Sequence, residues 1–366
     1  MSHRVSLLLV LAAITCLQAC PRSAGPEAGE GEGEGEGEGE GEGEGEGEGE
    51  GEGEGEGEGE GEGEGEGEGV VVVPGADVFG TPPHQVEQLT LAKATTGLAY
   101  DLDVWIPQTA GAYQAVVYLP GFGLAPADSA TMLEHAAGHG VVVVGVVLES
   151  GVCIGFLGCT GNYPAQPKKA TTSDEAALMP AILAYVRAGL GDDIAAAAPG
   201  VAVADAVPVI AAHSRGGKLS WRVLLANVQA ARGLALIDPV DAPPPSNSGI
   251  TDPNAVDGAL AFTGPAVIVG TGKGPTGFQP CAPSADGHAR FADALGAAVH
   301  VVEADAGHND LLNAPGFVCA NGPNPAVFRV VAGGLITATV REALGERGAI
   351  AAAVASAPDG VTLASP

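Results

Sequence analysis

Ser214, Asp238 and His308 follow one another in the chain in an order that can support acyl transfer. A serine hydroxyl is a weak nucleophile until a base takes its proton, and that base needs an acid to hold its tautomer. Ser214 stands in Val209-Ile-Ala-Ala-His-Ser-Arg-Gly-Gly-Lys218, between an apolar, strand-like run and a helix-like segment. A sharp turn there would push its Oγ out over a sheet. The residues two before and two after must be small so that strand and helix can approach. They are Ala212 and Gly216.

The acid should come from the end of the next strand. Leu234-Ala-Leu-Ile237 runs directly into Asp238, which would share a sheet edge with Ser214. Asp286, Asp241, Asp252 and Asp257 stay open as alternatives. For the base, Val299 to Glu303 leads into Asp305-Ala-Gly-His308, where Gly307 lets an imidazole turn back. His288 is the other histidine nearby, at the start of a helix. An oxyanion needs two backbone N–H donors. Arg215 follows the nucleophile and offers one. The Leu119-Pro-Gly-Phe-Gly123 turn offers the other, at Phe122. No metal or cofactor is implied. His135 and His139 have the i, i+4 spacing of a metal pair but lack the glutamate of a zinc protease motif. Gly270-Thr-Gly-Lys-Gly274 lacks the spacing of a phosphate loop, and Pro275 follows it.

Stepping outward, short apolar runs alternate with helix-like segments. The sequence predicts strands at Leu102–Ile106 (as an edge), Ala115–Leu119, Val141–Leu148, Val207–Ala212, Leu234–Ile237, Pro265–Gly270 and Val299–Glu303. Helices are expected from Asp128 to Ala137, Asp174 to Leu190, Lys218 to Ala231, Ala285 to Gly296 and Val327 to Leu344. This alternation predicts an α/β protein with an open, mostly parallel sheet wrapped by helices.

Taken together, His213-Ser-Arg-Gly-Gly-Lys218 resembles the serine motif of the chlorophyllase family of α/β-hydrolases. Leu236-Ile-Asp-Pro-Val240 resembles its acid motif, and Ala306-Gly-His-Asn-Asp-Leu-Leu312 its histidine motif. Val269–Gly272, Pro280–Pro283, His288, Cys319–Gly322 and Phe328–Gly334 continue the likeness; Leu119-Pro-Gly-Phe122 has Pro120 in place of the usual His. The resemblance spans about Val86 to Leu344. It implies the α/β-hydrolase fold and hydrolysis of a carboxylic ester by Ser214, Asp238 and His308. In plants such enzymes cleave the phytyl ester of chlorophyll.

Of 366 residues, the first 19 read as an export signal: a short basic start, then the apolar run Val5–Ile14. Ala19-Cys20 resembles the bacterial lipoprotein signal, in which Cys20 would carry the lipid. Residues 20–69 form a spacer. Within it, Glu30 to Gly69 alternate strictly, 20 Glu and 20 Gly, a composition that cannot pack and would serve as a tether. Residues 70–346 are expected to form the catalytic domain and 347–366 an Ala-rich tail. The net charge of −30 is dominated by the tract; from Val70 onward 24 acidic residues face 13 Lys and Arg, a net of −11. That balance disfavours nucleic acid and anionic membrane surfaces as partners. No apolar run reaches the roughly 18 residues of a membrane span. Four further cysteines suit an exported chain, with pairings Cys153–Cys159 and Cys281–Cys319 expected, free thiols being the alternative.

The expected protein is an envelope-tethered, probe-reactive serine esterase whose small-molecule substrate is an apolar or bulky ester. The only cations beside its nucleophile are Arg215 and Lys218. Pocket walls would come from loops 150–173 and 239–263, with Phe156, Leu157 and Tyr163 in the first. A catalytically silent binding protein on this fold and a polyester or lipid hydrolase are the competing readings. Oligomeric state is not readable. If Cys20 carries the anchor, Cys20→Ser should move the protein from the membrane pellet to the soluble fraction with activity intact. Continued pelleting would refute the anchor.

Overall fold

The computed structural model describes residues 77–150, 169–244, 248–277, 280–316, 318–359 and 361–365. The export signal, Cys20, the Glu-Gly tract, Cys153, Cys159, Phe156, Leu157 and Tyr163 lie outside them.

The chain begins with β1 (Val86–Leu91), a short helix α1 (Lys93–Thr96) and β2 (Leu102–Pro107). Next come β3 (Gly111–Tyr113), β4 (Ala115–Leu119), α2 (Ala130–Gly138) and β5 (Val142–Val146). Three short helices follow, α3 (Thr172–Ala176), α4 (Met179–Ala188) and α5 (Leu190–Ile194), then β6 (Val201–Val203) and β7 (Val209–His213). After these run α6 (Arg215–Ala226), β8 (Gly233–Ile237), β9 (Ala266–Thr271), α7 (His288–Leu295) and β10 (Val299–Glu303). The chain closes with α8 (Pro325–Ala343), α9 (Ala349–Ala355) and β11 (Leu363–Ala364).

Nine strands form one sheet in the order β1-β2-β5-β4-β7-β8-β9-β10-β11, and β3 and β6 form a separate parallel pair. The six strands from β5 to β10 are parallel, while β1, β2 and β11 join antiparallel. This is the α/β-hydrolase arrangement of helices around a mostly parallel sheet. Its central strands are near-continuous Val, Ile, Leu and Ala because both faces are covered. Strand β7 shows the period of two. Ile210 and Ala212 join a core with Met179, Ile182, Leu219, Trp221 and Phe291 of α4, α6 and α7. Val209 and Ala211 join the opposite core with Met132, Leu133, Phe328 and Leu335 of α2 and α8.

The topology itself prepares a site. From β4 the chain passes to β5 on one side, then returns to β7 on the other. The connections after β4 and β7 therefore diverge and leave a crevice at their carboxyl ends.

Several expectations need correction. The strand Leu102–Ile106 is not an edge: all six residues of β2 are buried, and β1 lies outside it. Asp128 does not cap α2; it sits in a 3-10 turn and its Oδ2 accepts from the Ala125 amide at 2.8 Å. Asp174 is the third residue of a capping box whose cap is Thr171, with Thr171 Oγ1 accepting from the Asp174 amide at 3.1 Å. The single helix expected from there to Leu190 is broken into α3 and α4, and Pro180, the second residue of α4, has no amide to extend a preceding helix. Helix α6 starts at Arg215, directly after the nucleophile, rather than at Lys218. The tail set off at 347 belongs to the same fold: Ile350 and Ala353 pack under α8, and β11 pairs with Val302 and Glu303.

His135 and His139 face the segment before β1. Their Nε2 atoms lie 2.7 Å from the Val78 carbonyl and 3.3 Å from the Gly80 carbonyl. Burial, reinforced by the His135 charge, lowers the His139 pKa to about 4. An unfolded histidine titrates near about 6.5. Between those values the unfolded chain binds more protons, so stability is complete above pH 6.5 and falls as the pH drops toward 4. His139→Gln should flatten that part of the Tm-versus-pH curve. An unchanged slope would show that His139 does not contribute to it.

Candidate active site

Ser214 joins β7 to α6 with φ 55° and ψ −125°. Among the described residues, the only other non-glycine at positive φ is Asp238, at 43°, directly after β8. Such backbones cost of order 1–3 kcal/mol each and persist where the surroundings hold them. At Ser214 the holding contact is close. A Cβ on Gly216 would lie 2.0 Å from the Leu119 carbonyl oxygen, so only glycine lets the first turn of α6 rest on the end of β4.

The crevice brings the three expected residues together. His308 Nε2 is 2.9 Å from Ser214 Oγ, and His308 Nδ1 is 2.7 Å from Asp238 Oδ2. A carboxylate can only accept, so the proton of a neutral His308 belongs on Nδ1 and Nε2 is left to accept from Ser214. Asp238 is fully buried. Burial alone would raise its pKa, but the bond and charge of His308 and the Thr271 hydroxyl outweigh it and hold the carboxyl below its usual range. Thr271 donates twice, from Oγ1 to Oδ2 at 2.6 Å and from its amide to Oδ1 at 3.1 Å.

The other acids are accounted for elsewhere. Asp286 accepts from Asn254 Nδ2 at 2.8 Å and Arg290 Nη1 at 3.4 Å. Asp241 accepts from the Ala255 and Val256 amides. Asp257 pairs with Arg290 at the surface. Asp252 accepts from Thr172 Oγ1 at 2.8 Å and stands 3.6 Å from both Lys218 Nζ and Arg222 Nη2. His288 Nδ1 lies 2.8 Å from His300 Nε2, away from the nucleophile. The two cations expected beside the nucleophile are both buried and internally paired. Arg215 Nη1 donates to Glu175 Oε2 at 2.5 Å, and Lys218 Nζ donates to the Asp252 carbonyl at 2.8 Å. Among the described residues no three histidine, cysteine or carboxylate side chains form a metal cage.

The turn after β4 passes close to the nucleophile. A Cβ on Gly121 would be 3.0 Å from Ser214 Cβ and 3.1 Å from His213 Nδ1. Among the described residues neither the Phe122 nor the Arg215 amide makes a hydrogen bond.

Three groups escaped sequence reasoning. His213 is fully buried, and its Nε2 lies 3.0 Å from the His308 carbonyl oxygen. Burial, with the neighbouring His308 charge, pushes its pKa down to about 3, so it is neutral and donates from Nε2. Asp310 gathers the histidine loop, its Oδ2 accepting from the Gly307 and Gly322 amides at 2.7 Å each. Thr271 could have been found: it ends the strand beside Asp238.

Cys281 and Cys319 are joined by a disulfide. It ties the loop after β9 to the loop carrying His308 and closes 38 residues, which by chain entropy is worth at most about 4 kcal/mol.

The chlorophyllase family model matches residues 75–362. Chlorophyllase-2 of Arabidopsis thaliana is 27% identical over 277 residues, covering 68% of this chain and 79% of the relative. Chlorophyllase-1 of the same plant is 27% identical over 306 residues, covering 76% and 88%. The match extends past residue 346, in keeping with α9 being part of the fold.

Replacing both Cys281 and Cys319 by alanine should lower Tm by up to roughly 7 °C, the shift about 4 kcal/mol produces in a domain of this size. Equal melting of the variant and wild type would mean the bridge constrains nothing.

Proposed function

On the premise that the chain belongs to the chlorophyllase family, one of ester hydrolases, we propose that it is a serine carboxylic-ester hydrolase working through Ser214, His308 and Asp238. The observation that carries this reading is the continuous chain of hydrogen bonds from Ser214 Oγ through His308 to Asp238. Ser214 Oγ attacks the ester carbonyl carbon while His308 Nε2 takes its proton. The oxygen of the tetrahedral intermediate is received by the Arg215 and Phe122 amides. The C–O bond to the alcohol breaks, and the departing oxygen takes the proton back from His308. Water, deprotonated by His308, then attacks the acyl-enzyme; its collapse releases the acid and restores Ser214. Asp238 stabilises the imidazolium formed in each half, and its lowered pKa keeps it ionised for that task.

The substrate on this reading is an uncharged, apolar ester. Arg215, Lys218 and Arg222 are each paired inward with Glu175 or Asp252 rather than offered to a substrate carboxylate. The Ala19-Cys20 signal and the Glu-Gly tract support a lipid-tethered enzyme of the bacterial cell envelope.

The test is hydrolysis of short p-nitrophenyl esters, with labelling by a fluorophosphonate probe. Ser214→Ala and His308→Ala should each lower kcat by on the order of 10⁴-fold or more, and Asp238→Asn nearly as much. Asp286→Asn should be close to neutral. Full activity in Ser214→Ala, or an unlabelled wild type, would end the esterase reading.

A further inference from the structure

Resting on that ester-hydrolase reading, we propose that the Arg215 side chain is a positioning residue, holding the Phe122 amide in place beside Arg215's own amide. One residue would then set both donors to the oxyanion, one through its backbone and one through its guanidinium.

Arg215 is only 5% exposed, and its guanidinium is gripped on several sides. Nη1 donates to Glu175 Oε2 at 2.5 Å, Nη2 donates to the Ala170 carbonyl at 3.0 Å, and Nε lies 3.8 Å from Asp252 Oδ2. Its carbon sits 5.9 Å from the centroid of the Phe122 ring, within the range of a cation–π contact. The turn that carries Phe122 is held from its other side as well. The Gly123 amide donates to the Ser150 carbonyl at 3.3 Å. The Ser150 hydroxyl donates to Glu175 Oε1, the second oxygen of the same buried carboxylate. Phe122, Arg215, Glu175, Ser150 and Gly123 therefore close a ring of contacts around residues 121–123.

The ring explains why a charged pair is buried behind an apolar ester site. A fully desolvated carboxylate is costly unless each oxygen is satisfied. Glu175 is satisfied only when both arms of the ring are in place, so its burial favours one position of the turn. That turn has no regular secondary structure of its own and is flanked by glycines at 121 and 123. Its amide must nonetheless meet the oxyanion within a fraction of an ångström, since misplacement by about 1 Å can cost about 100-fold in rate. A lysine at 215 would keep the charge but lose the planar fork that reaches Glu175 and the Phe122 face together.

The experiment compares the full-length wild type with Phe122→Leu, Arg215→Lys and Arg222→Met. It measures kcat and KM on a short p-nitrophenyl ester and inhibition by an alkyl boronic acid, which forms a tetrahedral adduct on the serine. Phe122→Leu keeps the Phe122 position's amide and the Arg215–Glu175 pair but removes the ring. It should lower kcat by about 10-fold at nearly constant KM and weaken the boronic acid by a similar factor. Arg215→Lys should cost about 100-fold in kcat, within the range for loss of one oxyanion donor. Arg222→Met breaks the same buried charge cluster away from the turn. It should lower Tm while kcat and inhibition stay as in the wild type. Wild-type kcat and inhibition in Phe122→Leu would overturn the proposal, even should Arg215→Lys fail to fold. Parallel loss of kcat in Arg222→Met would overturn it too, by reducing the effect to general destabilisation. A wild type that neither hydrolyses the ester nor reacts with a fluorophosphonate fails at the earlier reading and takes this inference with it. An active, labelled wild type beside unaffected variants refutes this inference alone.

Discussion

The rest of the site depends on the contact between the first turn of α6 and the end of β4. Ser214 holds a backbone that L-residues avoid, and it does so because Gly216 lies against the Leu119 carbonyl with no room for a side chain. That one approach fixes the direction of Ser214 Oγ. It also sets the Arg215 amide beside the turn after β4, and it brings Arg215 over Phe122. A larger residue at 216 would separate strand and helix and disperse all three relations at once. The cost of the strained serine is met by two fully covered sheet faces, which leave neither β4 nor β7 free to shift.

Around that fixed point the site is built from strand ends. Asp238 follows β8 and His308 follows β10, so their separation is set by sheet spacing rather than by loop conformation. The loops add only the final orientation. Thr271, at the end of the intervening strand β9, holds both oxygens of Asp238, and Asp310 binds the two amides that bend the histidine loop. His213 contributes from the strand that carries the serine and reaches the main chain of His308. The polar groups that orient the triad thus come from strand ends at one edge of the sheet and from the loop after β10.

The sheet and the order of nucleophile, acid and base were legible because their signals are local. Apolar runs of five residues ending in Ser, Asp or a Gly-His turn mark the strand ends without knowledge of neighbours. Edges were less legible. Val86-Glu-Gln-Leu-Thr-Leu91 alternates weakly and is half exposed, so β2 appeared outermost until β1 was seen to cover it. The roles of Glu175 and Asp252 could not be read at all, since each faces Arg215, 40 and 37 positions away, which only the fold brings near. Asp252 illustrates the difficulty: an acid in a Pro-rich loop looks solvated, yet it is the counter-ion of a buried helix face. The helix expected over 174–190 failed for a smaller reason, one proline at the start of a turn.

The two-residue strand β11 has a practical consequence. Strand β10 carries the approach to His308, and its outer backbone groups would be open to any other extended chain if Leu363 and Ala364 were not paired there. The Thr362 amide adds a bond to Glu303 Oε2, the last residue of that strand. Leu363 and Ala364 thus form a small protective rim on the sheet. A purification tag appended after Pro366 would follow that rim by only two residues. Fusions at that end therefore put the pairing of β11 with β10 at risk.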